Sequence, residues 1–69
     1  MFKEFAITIK GVPNDGVARR FWKEIESDYY RFMRLHAHSV IYGEAPSETI
    51  DWLVIKCRKF GFEVVEVAR

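Results

Sequence analysis

The sequence predicts a small α/β domain of order β-α-β-α-β, with a three-stranded sheet and two helices packed mainly on one face. Three observations predict it. Phe2 to Lys10 alternates apolar and polar residues with the period of a strand. From Val17 the apolar residues recur with the period of a helix. Pro46 to Gly61 carries a second helical stripe, flanked by two further strand-like runs. An α+β variant, with one strand antiparallel, is the alternative.

In the first strand Phe5, Ile7 and Ile9 share one face, and Glu4, Ala6, Thr8 and Lys10 the other. Such alternation predicts a sheet with one open face, because strands buried on both sides read as continuous apolar runs. Gly11-Val12-Pro13-Asn14-Asp15-Gly16 interrupts the pattern. Pro13 is expected to end the strand and Asn14 or Asp15 to cap the next helix. That helix is expected to run to Leu35, with Phe21, Trp22, Ile25, Tyr29, Phe32 and Met33 on its buried arc. A competing reading makes Tyr29 to Tyr42 extended. A ferredoxin-like layout needs a fourth strand, which only a hairpin drawn from that segment would supply.

His36 to Tyr42 is expected to be the second strand. Pro46 suits the first turn of the second helix, with Glu48 and Asp51 near its positive end. Ile50, Leu53, Val54, Cys57 and Phe60 form its apolar stripe, and Gly61 is the natural residue to end it. Phe62 to Val67 is the terminal strand.

With 69 residues, the chain is expected to be one domain, residues 1–69, near the lower limit for a self-sufficient core. Its 49% apolar and 30% charged residues suit a soluble globular protein. The lone Cys57 excludes an internal disulfide and is compatible with a reducing cytosol, so a cytoplasmic location is expected. No apolar run is long enough to span a bilayer, so no membrane partner is expected. The N-terminus has charges within its apolar pattern and does not read as a signal peptide. Net charge is +1, so any argument from charge depends on where the charges fall.

No phosphate loop, dinucleotide fingerprint or nucleophile elbow is present, and no enzyme activity or cofactor is expected. His36 and His38 would point to one face of a strand, but a metal needs further ligands. No metal is therefore expected. Cys57 reads as a small core residue. Glu44, Glu48 and Asp51 gather near one turn and could meet the histidines as acid–base partners, though nothing in the pattern requires it.

The predicted site is a surface for a partner. Arg19, Lys23, Tyr30 and Arg34 would share the outer face of the long first helix. Trp52 lies off the apolar stripe of the second helix, between Lys56 and Lys59. The plain alternatives are a solvated face, and a tryptophan covered by lysine stems. The stretch IYGEAPSETIDWLVIKCRKFGFEVVEV resembles the strand–helix–strand units of many small α/β modules. Among these are short phage-encoded inhibitors that block a host polymerase or a CRISPR effector complex. That resemblance implies an inhibitor or adaptor that acts by protein–protein contact. A homodimer by sheet extension is also compatible with an unpaired edge strand. The alternative partner is RNA or single-stranded DNA, held by the basic helix and an open sheet face bearing Thr8, Lys10, His38 and Tyr42.

Overall fold

The computed structural model describes residues 1–11 and 14–69. The expected role of Pro13 falls outside those residues. The elements are β1 (Lys3–Lys10), α1 (Asp15–Ile25), β2 (Tyr30–Leu35), β3 (His38–Ala45), α2 (Ser47–Lys59) and β4 (Glu63–Ala68). The sheet order is β2-β3-β1-β4, and each neighbouring pair is antiparallel. This is the ferredoxin-like layout, with four strands where the sequence predicted three.

Both helices cover one face of the sheet. Phe5, Ile7 and Ile9 of β1 meet Phe21 and Ile25 of α1, and Ile50, Leu53 and Cys57 of α2, in one buried cluster. Asn14 caps α1, its side-chain oxygen accepting from the Val17 N–H at 2.9 Å. Gly61, at φ 87°, follows the end of α2. β4 keeps its apolar side inward by a bulge, since Ile9 pairs with Val64 and Thr8 with Glu66, leaving Val65 as the extra residue.

The largest correction concerns the first helix, which ends at Ile25 and does not reach Leu35. The Glu26 N–H still donates to the Trp22 carbonyl, and then ψ of 145° turns the chain outward. The Ser27 hydroxyl accepts from the Tyr29 N–H at 3.2 Å, which shapes the corner. The Tyr30 phenol donates to the Ile25 carbonyl, satisfying a group that the helix end leaves without a partner. A helix continuing past Ile25 would leave β3 without its partner on that side. As a strand, the same residues pair with β3, burying Tyr30 and packing Phe32 against Phe21 and Trp22. His36, at φ 53°, and Ala37 make the two-residue turn into β3.

Candidate functional site

The four residues expected to share a helix face do not share one. Arg19 and Lys23 are exposed on α1, whereas Tyr30 and Arg34 belong to β2. Tyr30 is 5% exposed and offers no contact surface. Arg34 forms an ion pair with Asp15, and its guanidinium holds that carboxyl below the usual carboxylate range. With Arg19, Trp22 and Phe32 it lines a groove of about 340 Å³ between α1 and the β2 edge. Trp22 and Phe32 stack there at 6.0 Å.

On α2, Trp52 is 40% exposed. Lys56 lies over its ring, Nζ 5.7 Å from the centroid, and also pairs with Glu24 of α1. Lys56 thus covers the indole and ties the two helices together. Lys59 is exposed at the end of the helix. His36 and His38 do not share a strand, since His36 sits in the turn. Among the described residues no group of three or more metal-binding side chains comes together. Asp51 pairs with Arg69 at 2.8 Å, on the helix side, while Glu44 lies on the sheet.

Cys57 is fully buried, and burial pushes its thiol up to about 12. Burial also raises the Tyr30 phenol. Both groups hold their protons in the folded chain at a pH where the unfolded chain loses them. Their contribution to stability is complete below the ordinary thiol range, near ~8.5, and is lost as pH rises towards about 12. The urea midpoint is therefore expected to fall between pH 8 and pH 11. In Cys57→Ala that fall should shrink. An equal fall in both proteins would show that Cys57 plays no part in it.

The sheet face that the helices leave bare is the most distinctive surface. On it β3 places His38, Val40, Tyr42 and Glu44, while Ser39, Ile41 and Ala45 face the core. β1 contributes Glu4, Ala6, Thr8 and Lys10, as its alternation predicted. β2 adds Arg31, Met33 and Leu35. Register sets these residues in rows: Met33–Val40–Thr8 and Arg31–Tyr42–Ala6 cross the middle. Leu35–His38–Lys10 crosses one end, and Glu44 faces Glu4 at the other. On this face the two central strands therefore carry Lys10 and His38 at one end and Glu4 and Glu44 at the other, with Glu63 of β4 opposite Lys10. Neither Glu4 nor Glu44 has an ion-pair partner among the described residues.

Beside those carboxylates the surface dips. Glu4, Ala6, Tyr29, Tyr42 and Glu44 line an open concavity of about 700 Å³, with Arg69, paired to Asp51, at its border. Tyr29 is held there by its carbonyl, which accepts from the Glu44 N–H at 3.0 Å. Thr8, Lys10, His38 and Tyr42, singled out in the sequence for an open sheet, all lie on this face. Met33, Leu35 and Tyr29 were not expected there. Reading YRFMRL with period two would have placed Met33 and Leu35 there.

Compared with known proteins, the chain matches no family model, no curated protein and no solved structure. No helix among the described residues is long and apolar enough to cross a membrane.

Proposed function

We propose that this chain is a binding module without chemistry of its own, an inhibitor or adaptor of the cytoplasm that works by protein–protein contact. Its contact surface is the bare sheet face. The observation that carries this reading is the apolar band of Met33, Leu35 and Tyr42 left exposed around the half-buried Val40, with Leu35 47% exposed. Exposed apolar surface of this kind, rimmed by charge, is what protein contacts use. Nucleic acid is the weaker reading because the same face bears Glu4, Glu44, Glu63 and Glu66 against Lys10 and Arg31. Carboxylates along a strand path repel phosphate.

A photo-crosslinking residue in place of Tyr42 is expected to capture a protein, either the chain itself or another, in extract of the native host. The same group in place of Arg58, on the helix side, should not. Binding of a random oligonucleotide pool at low salt, lost steeply as salt rises and abolished by Lys10→Glu, would favour nucleic acid instead.

A further inference from the structure

We infer that the occupant of the bare sheet face is a second copy of this chain. The two sheets stack face to face about a twofold axis that runs across the strands. This inference rests on the reading of that face as the contact surface.

Charge pattern is the argument. A twofold axis across the strands, midway along the face, lays each end of one sheet over the opposite end of the other. It places Lys10 over Glu4 of the second copy and His38 over its Glu44, as the register of β1 with β3 requires. Each contact occurs twice by symmetry. The two middle rows then meet, so Val40 lies over Tyr42 and Thr8 over Ala6. Lys10 reaches the concavity lined by Glu4, Glu44, Tyr29 and Tyr42, where Arg69 is already paired with Asp51 and leaves the two carboxylates to an ammonium group. An axis along the strands fails this test. It would set Glu4 over Glu44, like against like, and leave Lys10 without a facing carboxylate. The chain also has a reason to recruit a cation here, since Glu4 and Glu44 sit directly opposite on one face of an antiparallel pair.

Size is consistent with a reversible dimer. Four strands about 4.8 Å apart and about 25 Å long present roughly 500 Å² in projection. Two copies thus bury about 1,000 Å², the threshold of a specific interface. Sheet extension through β2 is a poorer route, because Arg31 and Arg34 stud that edge.

Sedimentation of the intact chain tests the inference through two charge reversals. Wild type is expected to dimerise with a dissociation constant on the order of 10 µM. Lys10→Glu and Glu4→Lys, each alone, should weaken self-association by about 10- to 100-fold, since each turns two attractions into two repulsions. Mixed in equal amounts, the two variants should form a heterodimer as tight as the wild-type dimer, because both contacts between positions 4 and 10 are again opposite in sign. Circular dichroism checks that each variant folds. Should Lys10→Glu fail to fold, His38→Glu with Glu44→Lys applies the same logic to the neighbouring pair. Wild type that stays monomeric at roughly 0.5 mM overturns the self-interface. So does a mixture of folded variants no heavier than its components. In either case a crosslink from position 42 to a different protein would leave the sheet face standing as a protein contact, whereas no crosslink at all would end both.

Discussion

Phe21→Ala is expected to remove about 3–5 kcal/mol of stability. A chain of this length has roughly 3–10 kcal/mol in total. The variant should therefore be largely unfolded at 37 °C. Phe21 is 0% exposed, on the inner side of α1. Its ring meets Phe32 at 5.9 Å, Phe60 at 5.3 Å and Phe62 at 4.9 Å, each edge to face. Those partners come from β2, the end of α2 and the approach to β4, so one ring joins four parts of the chain. Alanine would leave a void walled by three aromatics that are fixed by their own strands and helix, and such a site collapses poorly. Urea unfolding monitored by circular dichroism gives the loss directly. Ile55→Ala, at a position 56% exposed on α2, is the control and should change stability by no more than about 1 kcal/mol. A Phe21→Ala loss below about 1.5 kcal/mol would mean that the aromatic cluster is not the centre of this core.

The legible parts of the sequence were those where one period fits and the alternatives do not. β1 has strict alternation, and its buried residues are Phe5, Ile7 and Ile9 as the pattern requires. α2 begins just after Pro46, buries Ile50, Leu53 and Cys57, and stops before Gly61. Tyr29 to Leu35 was not legible because two periods fit it. At helical spacing Tyr29, Phe32, Met33 and Leu35 extend the apolar arc of α1. At strand spacing Tyr30 and Phe32 face inward and Met33 and Leu35 outward, which is what the structure shows. The deciding signal was local and small. Glu26-Ser27-Asp28 is a polar corner, and Ser27 uses its hydroxyl to shape it. The turn gave no help, because His36-Ala37 lacks the Asn-Gly pair that marks a tight hairpin.

The same ambiguity displaced the candidate site. Tyr30 looked like the surplus aromatic of a basic helix face, yet it is a core residue whose hydroxyl closes the end of α1. The surplus lies elsewhere, in Met33, Leu35 and Tyr42, which fold formation leaves in solvent. No reading of one strand at a time could show that Glu4 faces Glu44, because that depends on the register of β1 with β3.

Gly43→Ala is expected to be as damaging as loss of the core phenylalanine, by a different route. Gly43 lies in β3 at φ 146°, a conformation that L side chains rarely adopt. A Cβ there would collide with the Tyr29 carbonyl oxygen, and would sit 2.6 Å from Tyr30 Cα and 2.7 Å from Tyr30 Cβ. These are mostly backbone atoms at the start of β2, so no rotamer change relieves the clash. Either β2 withdraws, breaking the Glu44 N–H to Tyr29 carbonyl bond, or β3 deforms in the middle of the sheet. Strain of about 1–3 kcal/mol from the backbone angle adds to the cost of that displacement, for a total of at least about 4 kcal/mol. Gly61→Ala separates the two contributions. Gly61 also has positive φ, 87°, but nothing stands within 4 Å of its absent Cβ. Its alanine variant should lose only about 1 kcal/mol. The difference between the two urea midpoints then measures how tightly β2 is seated over β3. Equal losses would mean that the close approach at Gly43 contributes nothing. The comparison also bears on the sheet face, since Gly43 forms the floor of the concavity between Tyr29 and Tyr42. Any Gly43→Ala protein that still folds should therefore self-associate more weakly than wild type, because Glu44 no longer holds its place opposite His38 of the second copy.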